Sequence, residues 1–249
     1  EPFEGVRKTR WAAIRNTYPE LKSTTIKTWI DWAGEDRAPV TYDSPINSLF
    51  RQQLPDGTLV EIEVLFLSVD RPDDVKKLKS LDLTGAWLNE ASELGKSVLD
   101  MATGRVGRFP GKAQGGSTWS GVIMDTNSPD DDHWLYALAE ETKPEGYEFF
   151  SQPAALIQEN GRWIGNPEAE NVENHTLGYE YWLRQLPGKT DAWIRVFIQG
   201  RYGSVQDGKP VYAEYNDALQ TKALNPIQGI PLDIGFDFGL TPAAVITQT

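Results

Sequence analysis

No cysteine occurs in the chain, so disulfides and thiolate metal sites are excluded. Histidine is nearly absent: His133 and His175 alone cannot build a multi-histidine zinc site. No apolar run approaches the length of a membrane span, and no signal peptide is visible. The first residue is Glu1 and not an initiator Met, so the chain is expected to begin inside a longer reading frame or after processing. Positive charge is in deficit. With 24 Lys and Arg against 36 Asp and Glu the net charge is −12, which disfavours coating nucleic acid by bulk electrostatics. Any DNA contact would be confined to a small lining. Finally, no G-x-x-x-x-G-K-S/T phosphate loop occurs within the 249 residues.

What is present is globular in character. Apolar residues make up 39% of the chain and charge is mixed, enough for one large or two small domains with a real core. Up to about residue 153 strands and helices alternate, which predicts an α/β parallel sheet. The strands are read at "RWAAIR" (10–15), 58–70, 86–90, "SGVIMDTN", a buried strand, and "YEFFSQP", the last of this unit. Helices are read at Thr25 to Ala33, over "RPDDVKKLKS", from Ser92 as N-cap to Gly104, and from Asp130 to Glu141. Residues 34–57 are broken by prolines, and 107–118 form a loop. From 154 to 228 the composition turns to Asn, Gly, Pro and aromatics. This part holds a helix, Val172 to Leu186, and a strand pair, "WIRVFIQG" with "PVYAEY". At 230 a new apolar strand carrying an acid opens what looks like another domain.

"GAWLNEASELGKS", residues 85–97, poses the central question. Its tail matches the end of a phosphate loop. Counting back from Gly95, however, puts Glu90 where the first glycine belongs, and Glu90 and Glu93 would point carboxylates into a phosphate cradle. Like charges in a partly dry site cost several kcal/mol, to order of magnitude. The head fits a Walker B strand better. An apolar run buries itself in a sheet and ends in a polar pair at the strand's C-terminal tip, where ligands of open α/β sheets sit. A glutamate there can orient or deprotonate an attacking water. The preceding position, normally an acid that helps to hold Mg2+, is Asn89, a weaker ligand for a hard cation. The motif alone is equally compatible with a strand end followed by an acid-rich helix start. Asp125-Thr126-Asn127-Ser128-Pro129 then ends the next strand in small polar groups, a position that can sense a γ-phosphate, or a plain turn.

Five stretches in this order resemble the large terminase subunit of tailed bacteriophages, the DNA-packaging motor: "TRWAAIRNTYPELKSTTIKTW", "GAWLNEASEL", "GVIMDTNSPDDDHWLY", "NPEAENVENHTLGYEYWLRQL" and "GIPLDIGFDFGLTPAAV". They span most of the chain. The resemblance implies an additional-strand P-loop ATPase sheet (1–153), a linker subdomain (154–228) and the first strands of an RNase H-like nuclease (229–249). It implies Glu90 as catalytic glutamate, Arg15 as arginine finger, with Arg71, Arg105 and Arg108 as further candidates, and Thr126 and Asn127 as the ATP-coupling pair. Asn89 would be the metal-side residue and Asp237 the first acidic ligand of the nuclease. The implied cofactors are ATP and Mg2+, with Mg2+ or Mn2+ at the nuclease. The implied partners are double-stranded DNA, portal protein, the small terminase subunit and further copies in a homo-oligomeric ring, in the host cytoplasm and away from any membrane. The absent phosphate loop makes the chain an expected internal segment, inactive alone. Another additional-strand ATPase such as a helicase, or a non-catalytic remnant or docking module, are the alternative readings.

Overall fold

The computed structural model describes residues 2–203, 225–237 and 243–248. The chain falls into two compact units, Glu1–Val205 and Gln206–Thr249. The first is built on a six-stranded sheet of order β2-β3-β4-β1-β5-β6. Its strands are β1 (Val6–Arg15), β2 (Val40–Thr41), β3 (Asn47–Gln53), β4 (Leu59–Ser68), β5 (Gly85–Asn89) and β6 (Gly121–Asp125). β1, β4, β5 and β6 run parallel, so their C-terminal tips meet at one end. β2 and β3 are antiparallel additions at the far edge.

The sequence dictates the centre of this sheet. "WAAI" in β1 is apolar on both faces, as a strand covered on both sides must be. Ala12 and Ile14 join Leu65, Ala86 and Leu88 on one face, closed by Leu94, Val98, Leu99 and Ala102. Ala13 joins Val64 and Phe66 on the other, closed by Leu21, Ile26 and Ile46. Ile14 and Leu88 are completely buried; burial of such a side chain contributes about 1.5–3 kcal/mol.

Helical segments flank the sheet. The turn α1 (Tyr18–Glu20) carries Pro19 in its first turn, and Thr17 caps it by accepting the Glu20 amide at 3.4 Å. It runs through a π turn, Leu21–Thr25, into α2 (Ile26–Ala33), which ends at Gly34 in the left-handed region. "RPDDVKKLKS" forms a 3-10 turn over Pro72–Ser80. After β5 the chain makes a 3-10 turn, Ala91–Glu93, and only then α3 (Lys96–Thr103), whose N-cap is Gly95 and not Ser92. The "GKS" stretch is an ordinary helix start, with Lys96 paired to Asp100 at 2.7 Å. His133 caps α4 (Trp134–Tyr136), which continues as a π turn, Ala137–Thr142.

Several expectations are corrected. Residues 34–57 are not simply loop: β2 and β3 lie there, and β3 escapes notice because its half-exposed "NSLFRQQ" lacks apolar alternation. β6 is an edge strand and not a buried one, with Ile123 51% exposed. "YEFFSQP" forms no strand; Phe150 is exposed. "WIRVFIQG" belongs instead to a helix, α6 (Asp191–Phe197), because Thr190 caps it and Ile194 and Val196 bury. Its proposed partner "PVYAEY" lies outside the described residues. The helix expected over 172–186 is broken. A 3-10 turn (Val172–Asn174) and α5 (Glu180–Leu183) are separated by Gly178 at φ +51°. An unforeseen hairpin, β7 (Leu156–Glu159) with β8 (Arg162–Gly165), turns at Asn160-Gly161, both at positive φ.

The second unit is described by its antiparallel pair, β9 (Asp233–Asp237) and β10 (Ala243–Thr247). The Gln248 side chain closes it, accepting the Ile227 amide at 2.8 Å and donating to the Ile230 carbonyl at 2.9 Å. Among the described residues no helix is long and apolar enough to cross a membrane.

Candidate active site

The parallel strands deliver Arg15, Asn89 and Asp125 to one end of the sheet, and register places Asn89 directly beside Asp125. Glu90 follows immediately. It sits in the left-handed region, φ +52° and ψ +59°, where a non-glycine residue stores about 1–3 kcal/mol of strain. This conformation turns the chain out of the sheet and starts the Ala91–Glu93 turn. The Glu90 carboxyl is pushed above the usual carboxylate range. Partial burial is the main cause, Asp125 and Glu93 add to it, and Arg15 and the Asn127 amide work against it.

Arg15 is buried, its side chain 8% exposed, and it is held from within its own chain. Its guanidinium pairs with Glu93 at 3.2 Å and Glu20 at 3.9 Å, and donates to the Asn89 carbonyl at 3.4 Å. Its Nε has no hydrogen-bond partner. Of the other candidate arginines, Arg105 donates to the Leu81 carbonyl at 2.8 Å and pairs with Asp82 at 3.5 Å. Arg108 donates to the Gly104 carbonyl at 3.1 Å. Both anchor the loop leading into β5, at the opposite end of that strand from Glu90.

Thr126 and Asn127, expected as a coupling pair, lie at the same end of the sheet. The Thr126 hydroxyl accepts the Ser92 amide at 3.2 Å and lies 2.7 Å from Ser92 Oγ. His133 donates from Nε2 to the Ser92 carbonyl at 3.0 Å while Nδ1 accepts the Leu135 amide at 3.1 Å, which sets its neutral tautomer. The segments after β5 and β6 are thus tied together through Ser92.

Asn89 is engaged at both ends. Its Oδ1 accepts the Thr25 hydroxyl at 2.6 Å, and its Nδ2 donates to Asp125 Oδ2 at 2.9 Å. The other Asp125 oxygen accepts the Trp87 indole N–H, and Trp87 stacks on Trp32 at 5.9 Å. Thr25 and Trp87 were not singled out in the sequence, and Asp125 was read there only as the first of the polar groups that end its strand. The signal for Asp125 was available: it ends the next parallel strand, as Asn89 ends its own. Asp237 is the last residue of β9, in the second unit. Among the described residues no three acidic or histidine groups converge as a metal site.

No family model matches this chain. No curated protein matches it either. Solved structures do. The large terminase of a thermophilic bacteriophage aligns with TM-score 0.51 and 11% identity, over 94% of this chain and 50% of that one. The same terminase in complex with ADP aligns with TM-score 0.47 and 12% identity, over 98% and 53%. The ATPase domain of a Thermus phage large terminase aligns with TM-score 0.41 and 16% identity, over 78% and 77%. The chain therefore spans about half the length of the first of these structures. At such identities the likeness is one of fold: the six-stranded, mostly parallel sheet matches part of a phage large terminase.

Proposed function

We propose that this chain is a segment of a viral DNA-packaging motor, which hydrolyses ATP to move double-stranded DNA into a procapsid and cuts it with a metal-dependent nuclease. The observation that carries the reading is the placement of Glu90. A strained turn holds its carboxylate at the C-terminal end of a parallel strand, beside a buried arginine, in surroundings that raise its proton affinity. A carboxylate so tuned is a better base toward an attacking water than an exposed glutamate. Arg15 holds Glu93 and the Asn89 carbonyl in register with it, Ser92 ties its turn to Thr126, and the Asn127 amide bonds its carboxylate. Magnesium bound with ATP would neutralise charge on the phosphates. Asn89, a neutral amide whose oxygen already accepts the Thr25 hydroxyl, is a weaker ligand for that ion than the usual carboxylate. Portal protein, a small terminase subunit and further copies in a ring are the partners this reading entails.

The test is Glu90→Gln in the protein that carries this chain. ATP hydrolysis should fall by roughly 10²–10⁴-fold with nucleotide binding retained. An unchanged turnover rate removes Glu90 from the mechanism. Because the 249 residues contain no phosphate loop, the chain by itself should hold Mg-ATP weakly, and micromolar binding by isothermal titration would contradict that. A second reading concerns the C-terminal unit, where Asp237 ends the first strand of a hairpin. As the opening of an RNase H-like nuclease it would supply one metal ligand, and Asp237→Asn in the longer protein should then abolish DNA cleavage while sparing ATP hydrolysis.

A further inference from the structure

We infer that His133 is a positioning residue for Glu90: from the start of α4 it holds the Ser92 carbonyl, and with it the turn that fixes where the Glu90 carboxylate stands. The inference rests on the ATPase reading of this site.

The strain at Glu90 is the starting point. A non-glycine residue at φ +52° persists only where the surrounding structure over-determines it. The Ala91–Glu93 turn that follows is closed by two bonds of its own, the Glu93 amide on the Glu90 carbonyl at 2.9 Å and the Leu94 amide on the Ala91 carbonyl at 3.1 Å. A lone turn of this kind is not stable by itself, so its hold comes from outside. The Ala91 and Leu94 side chains are buried in the core. On one side the tip of β6 receives the Ser92 amide at Thr126. On the other, two consecutive rings at the start of α4 take carbonyls of the turn. His133 Nε2 donates to Ser92 at 3.0 Å, and Trp134 Nε1 donates to Leu94 at 2.9 Å. α4 is a firm base for this grip, because its Leu135 lies in the same core cluster as Ala91 and Leu94.

The residue type supports the role. His133 is also the N-cap of α4, its Nδ1 accepting the Leu135 amide at 3.1 Å. A cap alone calls for a short oxygen-bearing side chain, and three aspartates directly precede His133 in the sequence. An aspartate in place of His133 would cap the helix but bring a carboxylate toward the Ser92 carbonyl, where a donor is needed. Neutral imidazole accepts at one ring nitrogen and donates at the other, across a rigid plane. Nδ1 therefore starts the helix, and Nε2 is left to reach the turn.

That division sets the test. Asparagine puts an amide oxygen near the place of Nδ1 and can cap, but it is too short to reach Ser92. Glutamine puts an amide nitrogen near the place of Nε2 and can donate to Ser92, but it leaves the Leu135 amide uncapped. Both variants are made in the protein that carries this chain. ATP hydrolysis is measured beside hydrogen–deuterium exchange of peptides spanning 90–95 and 133–138. His133→Asn should lower kcat by about 10- to 100-fold with KM for ATP unchanged, the scale of a displaced catalytic group. It should speed exchange in 90–95 alone. His133→Gln should be the faster enzyme of the two and should speed exchange in 133–138 alone. A native rate in His133→Asn, a loss carried by KM, or exchange raised in both segments by both variants would each overturn the assignment. The last of these would leave His133 a helix cap only. Lost hydrolysis in Glu90→Gln with a native rate in His133→Asn discards this inference and keeps the ATPase reading. Unchanged hydrolysis in Glu90→Gln discards both.

Discussion

The two ends of the same sheet treat charge in opposite ways. At the N-terminal end of the parallel strands, charges are matched between neighbouring segments: Arg7 with Asp56 at 2.8 Å, Arg10 with Glu63 at 2.6 Å, Arg51 with Glu61 at 2.8 Å. Hydrogen bonds from Thr58, followed by Arg7, pull the Asp56 carboxyl down to about 2. At the C-terminal end Glu90, Glu93 and Glu20 gather around one buried cation, Arg15, with Asp125 beside Glu90, and the Glu90 carboxyl moves the other way. The N-terminal end also contains a cavity of about 400 Å³ between Arg7, Trp11, Gln114 and Trp119. One end is arranged for stability and the other accepts strain at the positions that would meet a ligand.

The largest effect should come from the one cation that holds the C-terminal end together. Arg15→Ala removes the ion pair of Glu93, leaves Glu20 with only the Thr17 hydroxyl, and opens space beneath the Asn89 carbonyl. Removing one member of a buried pair costs about 3–5 kcal/mol, and the half-exposed partners place this case near the lower bound. All nine tryptophans fall within residues 1–205, so a urea titration followed by their fluorescence reports on this unit. A loss below about 1 kcal/mol would mean that Arg15 is no more than a surface charge. At the other end the corresponding weak point is steric. A Cβ on Gly85 would lie 2.6 Å from the Trp11 ring, which is itself stacked on Trp119 at 5.7 Å. Gly85→Ala should cost about 1–3 kcal/mol by overpacking, in the same titration. A neutral result would show that the indole pair has room to move.

The same contrast explains how much could be read beforehand. The strands that bury both faces announce themselves: "WAAI" and "EIEVLFL" are apolar and β-branched, and they occupy the sheet centre as expected. Glu90 was legible because it follows such a strand. The hidden parts owe their structure to long-range partners. β3 is a strand because Arg51 and Phe50 meet Glu61 and Ile62 across the ladder, a pairing no local window contains. "WIRVFIQG" has strand composition, but the Thr190 cap and the burial of Ile194 and Val196 make it a helix. Asp125 was legible as a strand-tip acid, but its partner was not. Its place beside Asn89 depends on the register of β5 against β6, which spans 36 residues of sequence separation.

The remaining test sets one glutamate from each end against the other. The folded-state pKa of Glu90 is raised. Its contribution to stability is therefore fully present below the unfolded carboxylate value, about 4, and is lost as pH rises through the folded value. At neutral pH the ionised Glu90 weakens the fold, so Glu90→Gln should raise the unfolding midpoint at pH 7 and lose that gain below about pH 4. Glu63→Gln, which removes a partly exposed partner of Arg10, should do the reverse at pH 7 and by less, about 0.2–1 kcal/mol. Opposite signs for two glutamine substitutions in one sheet would separate a strained site from a matched surface. Equal signs would mean that Arg15 already neutralises Glu90. The unpaired charge at the strand tips would then lie on Asp125 alone, and the difference between the two ends would shrink to a single aspartate.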